Sequence, residues 1–435
     1  MRTVARLTMV AVLAALLAFA GTGAGAEGDG AVARILAAQQ AALGASTDLE
    51  LERRSAEADA ASRRAGAAVL APYAEWQQEG FDGFDGRLPN ALDTLRLGTP
   101  VLYPWQLGAA RSAVEAADLS LELGAAAAAR RTVAQVAGLW VELAALEERA
   151  AVADARLARL DAALSLQKSR FQLGEVAGAE VLQLDLEHVR ATSQREALGA
   201  EAARLRAELG RCCGGAVPSP PLSGDLEALT HLSQGPQEVA AAGPLDETLL
   251  VSASAAAGAA IEAEAVVAEG AAWGRPELEL EWERVPSLNG VEGFEGWGFR
   301  VMVPLPLGSA GSRQRATARA EGERAAAAAR VERAGLESRL VAAKATAAAA
   351  ERRLSALRPV LERLSAAEHS LAEQFRLGAI SYLVYIDGLG RLDDVQLESI
   401  EARAELLQAR LELALLLDDP RPFPLLGLGA TTTEN

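Results

Sequence analysis

The sequence predicts a mainly α-helical protein with a small β part, in which one unit of two strands and a long helical hairpin occurs twice. Three pairs of landmarks lie 204 residues apart: Pro72 and Pro276, Pro100 and Pro304, and the segments FQLGEV and FRLGAI, which begin at Phe171 and Phe375. Three matches at one offset indicate a tandem duplication. Long alanine-rich stretches predict the helices, and strict apolar–polar alternation predicts the strands.

The N-terminal segment predicts a secretory signal peptide over residues 1–26. Arg2 and Arg6 give a basic start, Val10–Ala20 an apolar core, and Ala24-Gly25-Ala26 a cleavage site of small residues. No cysteine lies directly after that site, where Glu27 follows, so no lipobox is expected. The prediction is a cleaved signal on an exported chain.

Composition excludes several classes of function. The formal net charge of −17 becomes −19 without Arg2 and Arg6, which disfavours nucleic acid because phosphate contacts need excess Lys and Arg. Cys212 and Cys213 are the only cysteines, and the three histidines are scattered, so neither a metal site nor a cofactor is expected. No nucleotide loop or nucleophile motif is present, and we therefore expect no enzyme. The role of the two cysteines stays open.

The duplication divides the chain into ranges. The first repeat is predicted over 27–213, with strands at about 70–79 and 92–104 and a long hairpin over 105–210. The Pro/Gly/Ser-rich stretch over 214–236 is predicted to be a loop or connector between the repeats. The second repeat is predicted over 237–420, with strands at about 275–285 and 296–307, a hairpin over 310–417, and a tail over 421–435. Each repeat is expected to open with a helix, over 31–68 and 245–271.

The strand signal is clearest over residues 275–284, RPELELEWER. Leu278, Leu280 and Trp282 alternate with four glutamates, Glu277, Glu279, Glu281 and Glu283. A period of two predicts a strand with one apolar and one acidic face. In the next strand Trp297, Phe299 and Val301 share one face and Arg300 lies on the other.

These strands favour a membrane. Apart from the signal, no stretch is predicted to be long and apolar enough for a transmembrane helix, whereas alternation over about ten residues is typical of outer-membrane barrel strands. Four strands cannot close a barrel, and lipid does not tolerate open edges. Three copies are therefore expected to share twelve strands, with Glu277, Glu279, Glu281, Glu283 and Arg300 facing a water-filled lumen. A soluble sheet is the less favoured alternative, because no other β-rich region could cover it.

The spacing of apolar residues in the long hairpins predicts coiled coils. Val133, Val136, Trp140 and Leu143 are spaced three, four and three, and Leu354, Leu357, Leu361 and Leu364 repeat that spacing. A helix of about 70 residues extends on the order of 100 Å. Pro359 is expected to kink or interrupt its helix. Gly174 and Gly378 are expected to end the first helix of each hairpin.

This arrangement resembles the TolC-type outer-membrane efflux family over nearly the whole mature chain. The resemblance is carried by FQLGEVAGAEVLQLDLEHVRA, by FRLGAISYLVYIDGLGRLDDVQLESIEARAELLQARLELALLL, by the strand segment GFRVMVPLPLGSAGSRQRA and by the duplication. It implies a homotrimer in a Gram-negative outer membrane, with a shared 12-stranded β-barrel in lipid and a helical α-barrel in the periplasm. It also implies a passive exit duct of a tripartite efflux or secretion system, with a periplasmic adaptor (membrane fusion) protein and an inner-membrane pump as partners.

The resemblance also implies functional residues. The adaptor-docking tip would comprise Leu173, Gly174, Glu175, Leu377, Gly378 and Ala379. Asp387 matches an acidic ring of the gate, whereas Val384 departs from a second such position. An acidic gate, an apolar constriction with one acidic ring, and a solvated Asp387 without a gating role all remain open. The alternative function is a periplasmic coiled-coil adaptor or scaffold without a pore, and the exported substrate, the pump and the adaptor stay open.

Overall fold

The computed structural model describes residues 26–67, 72–80, 91–101, 103–215, 217, 221, 224–233, 245–272, 274–285, 287, 292–304 and 309–418. Nearly all of the predicted signal peptide, most of the first inter-strand loop and the whole predicted tail lie outside these residues.

The first half opens with helices α1 (Ala26–Ala45) and α2 (Thr47–Ala67), where one continuous helix was expected. Ser46 separates them, and its hydroxyl accepts a hydrogen bond from the N–H of Leu49 at 3.3 Å. A serine in this position satisfies a free N–H at the start of α2 and so favours a new helix there. Strands β1 (Tyr73–Gly80) and β2 (Ala91–Pro100) follow.

The first long hairpin consists of α3 (Pro104–Gln172, 69 residues) and α4 (Gly178–Cys212). Beyond it, the predicted loop or connector over 214–236 contains a helix that was not expected, α5 (Asp225–Ser233). Two acidic residues in its first turn favour the helix N-terminus. Leu226 and Leu229 are 0% and 1% exposed, so α5 contributes to a core.

The second half repeats the order of the first. A short 3₁₀ turn at Leu245–Glu247 precedes α6 (Leu249–Ala271), and strands β3 (Glu277–Val285) and β4 (Phe294–Met302) follow. Strand β4 thus begins two residues before the predicted start at 296. The second long hairpin consists of α7 (Ser309–Arg376, 68 residues) and α8 (Tyr382–Leu417). Helix α7 continues through Pro359, which does not interrupt it.

The chain divides into two compact units, and α3 and α7 each contribute to both. Unit 1 comprises Met1–Glu52, Ala126–Thr248 and Leu336–Asn435, and unit 2 comprises Arg53–Ala125 and Leu249–Gly335.

Unit 1 is built around the heptad seam of the first hairpin. Val133, Val136, Trp140 and Leu143 are each at most 1% exposed, as their spacing predicts. The seam of the second hairpin is shallower, since Leu364 is 7% exposed and its three partners are half-buried. Leu406, Leu407 and Leu416 of α8 supply the deeper contacts, each at 0% exposure.

Unit 2 contains the sheet, whose four strands are antiparallel in the order β1-β2-β3-β4. Adjacent rows of paired residues alternate in character: one row runs Trp76, Leu95, Trp282, Trp297, and the next runs Glu75, Arg96, Glu281, Gly298. The predicted fold class, mainly helical with a small four-stranded β part, is confirmed.

Helix α6 corrects one expectation. By length and composition alone it could cross a membrane, with a mean hydropathy of 1.5, so the prediction that only the signal peptide qualifies is wrong. Along one side this helix packs against α7. Ser254 donates a hydrogen bond to Glu332 at 2.6 Å, and Arg319 forms an ion pair with Glu269. A side chain at Gly258 would lie 3.3 Å from Ala329, so glycine permits close packing on α7.

Candidate functional site

The two glycine turns, residues 173–177 and 377–381, have the same backbone. In the first, the N–H groups of Gly174 and Glu175 donate to the carbonyls of Phe171 and Arg170, each at 2.9 Å. In the second, Gly378 and Ala379 donate to Phe375 and Gln374 at 3.0 and 2.9 Å. These are the two bonds of a Schellman motif, which places glycine in the left-handed region. The φ values of Gly174 and Gly378 are 77° and 71°.

The structure brings the two turns together. Arg170 donates a hydrogen bond to the carbonyl of Arg376 at 3.2 Å, and its guanidinium lies 5.7 Å from the centre of the Phe375 ring. The six predicted docking residues are all exposed: Leu173, Gly174, Glu175, Leu377, Gly378 and Ala379. Leu173 and Leu377 are 75% and 72% exposed, which is high for large apolar side chains.

A hydrophobic cluster formed by residues of both hairpins lies beneath the two turns. The ring of Phe375 stacks on Tyr385 at 4.4 Å, and both residues are buried. The cluster draws on both hairpins: Leu160, Ala163, Leu164, Leu184, Ala191, Phe375, Tyr382, Tyr385 and Leu389. Burial raises the pKa of Tyr382 and of Tyr385.

Helix α4, which leaves the first turn, exposes an apolar stripe. Leu182, Leu186 and Val189 are 62%, 52% and 59% exposed and are spaced four and three, so they share one helix face. Sequence analysis missed this stripe, although the spacing is visible in the sequence. What the sequence could not supply is which face of α4 is buried.

Helix α8, which leaves the second turn, exposes a different surface. Val384 is 53% exposed, and the side chain of Asp387, one turn further, is 65% exposed. Asp387 forms an ion pair with Arg391 at 2.9 Å on the same helix. Both predicted gate residues therefore lie on one exposed face, and Asp387 has a cationic neighbour that sequence analysis did not identify.

A buried charge cluster links the hairpins below the turns. Arg159 of α3 donates to Glu368 of α7 at 2.5 Å and to Asp393 of α8. The Asp393 side chain is only 4% exposed. Burial raises the pKa of Asp393, although the guanidinium of Arg159 acts in the opposite direction. No sequence spacing connects these three residues, which explains why the cluster was not predicted.

The sheet places the predicted lumen residues on one face. Arg300 donates to Glu279 at 3.2 Å and to Glu281 at 3.0 Å. Arg96 of β2, which sequence analysis missed, donates to Glu281 at 3.0 Å and lies 3.5 Å from Glu279. Glu277 and Glu283 lie on the same face by strand register.

Glu279, which contacts both arginines, is only 6% exposed. The opposite face is apolar and open, because Trp76, Trp297 and Phe299 are 70%, 67% and 69% exposed.

The described residues contain no group of three or more His, Cys, Asp or Glu that could hold a metal ion. Cys212 and Cys213 are buried free thiols. Burial raises the pKa of the Cys213 thiol, whose Sγ lies 3.5 Å from the carbonyl of Ala38.

No protein-family model and no curated protein matches the sequence, but solved structures do. The outer membrane protein VceC from Vibrio cholerae matches with a TM-score of 0.68 and 16% identity, over 88% of this chain and 96% of that chain. The CmeC outer membrane channel of Campylobacter jejuni matches with a TM-score of 0.69 and 11% identity, over 89% and 86%.

A membrane protein from Pseudomonas aeruginosa matches with a TM-score of 0.67 and 18% identity, over 88% and 90%. The chain thus has the fold of outer-membrane channels of the TolC type, and the sequence resemblance is confirmed at the level of fold.

Proposed function

We propose that this chain is the outer-membrane exit duct of a tripartite efflux or secretion system and that it conducts passively as a homotrimer. One observation carries the proposal: a four-stranded sheet has an exposed apolar face and a charged opposite face, in a chain with the fold of outer-membrane channels. Lipid would contact the apolar face and water the charged face. Twelve strands from three copies would leave no open edge in the lipid.

The alternative, a periplasmic adaptor or coiled-coil scaffold without a pore, has less support. It gives no role to an apolar sheet face on which two tryptophans are about two-thirds exposed. Large exposed apolar patches mark membrane or partner contacts.

The two glycine turns would form the tip that docks on a periplasmic adaptor protein. Leu173 and Leu377 supply apolar contacts, and the stripe at Leu182, Leu186 and Val189 extends that surface along α4. An inner-membrane pump would supply the energy, so the chain itself needs no catalytic group and no cofactor. A signal peptide cleaved after residue 26, with no lipobox cysteine, would direct the chain towards the outer membrane.

The gate would lie on α8. In a trimer, three copies of Val384 and Asp387 would form an apolar ring next to an acidic one. Arg391, at 2.9 Å from Asp387, would partly neutralise the acidic ring. Because this ion pair is exposed to solvent, it is weak, and Asp387 keeps most of its attraction for cations.

The pore itself is tested with the purified mature chain in detergent and in planar bilayers. The expected result is a heat-modifiable trimer from the outer-membrane fraction that conducts ions. A water-soluble monomer without affinity for bilayers would overturn the proposal.

The gate is tested with two opposite substitutions. Asp387→Asn is expected to reduce block by divalent cations and preference for cations, whereas Arg391→Gln is expected to increase both. Unchanged conductance and cation sensitivity in both variants would remove Asp387 from the gate while leaving the pore in place.

A further inference from the structure

A cavity of about 500 Å³ lies where four helices of unit 1 meet. Its lining residues come from α3, α5, α7 and α8, so the cavity draws on both hairpins and on the helix that lies between them in the sequence. Leu354 and Leu361, two half-buried residues of the second seam, form part of the wall. The shallower seam therefore has space beside it, and the volume is within the range of about 300–1,000 Å³ that is usual for small-molecule sites.

Glu148 of α3 lines this cavity with a carboxyl group that is incompletely paired. Its side chain is 9% exposed, and within the part of the chain that the structure describes its Oε1 has no hydrogen-bond partner. Its Oε2 lies 3.5 Å from Arg403, whereas a strong charge-assisted hydrogen bond measures about 2.7–2.9 Å. Burial raises the pKa of Glu148, and the charge of Arg403 and backbone N–H groups at the start of α5 oppose that shift. An added hydrogen-bond donor would therefore stabilise this buried carboxyl group.

Arg403 of α8 is shared between two carboxylates and is close to neither. It lies 3.5 Å from Glu148 and 3.6 Å from Glu227 of α5, and its Nε donates to the carbonyl of Ser399 at 3.4 Å. The charged residues of the lining are three carboxylates and two guanidiniums: Glu148, Glu227, Glu362, Arg358 and Arg403. With all five ionised, the lining has an excess of negative charge, which favours a cation as the ligand.

Apolar side chains from three helices form much of the remaining wall. They include Val152 of α3, Leu361 of α7 and Ile400 of α8, and Ile400 is 3% exposed. Apolar walls with a few polar groups at defined positions are the usual composition of a small-molecule site. The lining therefore suits a ligand that has a positively charged hydrogen-bond donor on a carbon body.

The connector beside α5 does not supply such a cation. Residues 214–223 and 234–244, on either side of this helix in the sequence, contain no Lys, Arg or His. Arg358 of α7 belongs to the lining but is exposed, and within the described residues no hydrogen bond joins it to Oε1 of Glu148. A donor for this oxygen would therefore come from outside the chain.

We propose that this cavity binds an organic cation, with an ammonium or guanidinium group on an apolar body, and that Glu148 accepts a hydrogen bond from the cationic group. The apolar wall contacts the body of the ligand, and Glu227, whose side chain is 62% exposed, adds negative charge nearer to solvent. The bound cation contacts both hairpins and α5 and so stabilises their packing. This inference goes beyond the proposed channel and does not require it, since every lining residue belongs to one chain.

A pair of matched ligands tests the need for positive charge. Isothermal titration calorimetry compares phenylethylamine with phenylethanol on the purified mature chain in detergent, because the two differ only in the polar group. The amine is expected to bind saturably at one site per chain. The alcohol should bind about tenfold more weakly or worse, since a charge-assisted hydrogen bond is roughly twice as strong as a neutral one. Equal affinities, or no saturable binding of the amine, would overturn the proposal.

Substitutions in the lining locate the site. Glu148→Gln keeps the shape of the side chain, removes its charge and should weaken amine binding by about tenfold or more. Glu201→Gln, at an exposed glutamate of α4, makes the same chemical change away from the cavity and should leave the affinity unchanged. Ala151→Phe, at an exposed lining position, fills space without changing charge and should also block binding. If Glu148→Gln does not fold, Ala151→Phe decides, and binding that survives the folded variants contradicts the proposed site.

Two further measurements separate the ligand from the chain's own arginine and from the channel. Arg358→Gln removes a like charge from the lining and should strengthen amine binding; binding seen only in this variant would mean that Arg358 itself is the cation, which overturns the proposal. Saturating phenylethylamine should raise the melting temperature of the native chain but not that of Glu148→Gln, and an equal rise in both would argue against Glu148 as the acceptor. Bilayer conductance of the unliganded chain tests the channel independently of these results.

Discussion

The two glycine turns share a backbone and differ in nearly every exposed side chain beyond it. Helices α3 and α7 each end in the same pair of hydrogen bonds, followed by a glycine with φ near 75°. Beyond the turn, α4 exposes a stripe of three apolar side chains, whereas α8 exposes Leu383, Val384 and a charged pair, Asp387 and Arg391. A duplicated backbone has therefore kept its turn, while the two helices that follow it present different surfaces.

Burial differs in the same way between equivalent positions. Phe171 is 51% exposed, but its equivalent Phe375 is 4% exposed and stacks on Tyr385. Val189 is exposed, but its equivalent Asp393 is held by Arg159. The second turn is thus fastened to the core at two points where the first is not.

Removal of Arg159 from the buried charge cluster should have the largest effect on stability. Arg159→Leu leaves the buried Asp393 without its cation, which is expected to destabilise unit 1 by about 3 kcal/mol. Urea unfolding followed by circular dichroism measures the loss. Arg195→Leu, which removes an exposed ion pair with Asp154, is the control and should cost at most about 1 kcal/mol. Equal losses in both variants would mean that the second turn is not specially fastened.

Substitutions in the apolar stripe of α4 test whether this surface binds a protein partner. Leu182→Glu with Leu186→Glu should weaken binding of the proposed periplasmic adaptor by about tenfold or more, because burial of a leucine side chain contributes about 1.5–3 kcal/mol. The melting temperature should not change, since both side chains are already exposed. Leu119→Glu, at a leucine 51% exposed on α3, controls for added charge. Undiminished binding, measured by surface plasmon resonance, would argue against docking along α4.

Two glycines of α8 sharpen the comparison, because α4 has Leu184 and Leu186 at the equivalent positions. A side chain at Gly390 would meet nothing within 4 Å, so Gly390→Ala should stabilise the helix by about 1 kcal/mol. A Cβ at Gly388 would lie 2.9 Å from Leu371, so Gly388→Ala should lose part or all of that gain. Thermal unfolding separates the two variants. If stiffening α8 with Gly390→Ala leaves bilayer conductance unchanged, gate opening does not bend the helix there.

The smallest expected effect is the pH dependence of Asp393. Burial raises the pKa of this carboxyl against the pull of Arg159. Its contribution to stability is therefore complete at low pH and declines as pH rises through its pKa in the folded protein. The advantage of the native chain over Asp393→Asn should be larger at pH 4.5 than at pH 7.5, as measured by melting temperature. Asp185→Asn, at an exposed residue, should show no such change. An advantage that grows with pH would reverse the assigned direction.

The sequence predicted what depends on local pattern. Alternating Leu and Glu in β3, the heptad seam around Trp140, and the glycines that end the long helices each act within a few residues. The structure differs from the prediction at two places. At Ser46 an N-cap starts a new helix, and at α5 the burial of leucines favours a helix within a Pro/Gly/Ser-rich segment. The Arg159 cluster and the contacts of Arg96 join residues about 185 to 234 positions apart, so only the fold reveals them.

The distribution of tryptophan gives the molecule two separate optical reporters. Trp140 is fully buried and is the one tryptophan within the ranges of unit 1, whereas the other five fall within those of unit 2. In a chain that retains only Trp140, fluorescence emission would follow assembly of the helical core. In a chain that retains only Trp76 and Trp297, quenching by brominated lipid would follow insertion of the strands. Comparison of these two chains under the same conditions would give the order of the two events during biogenesis.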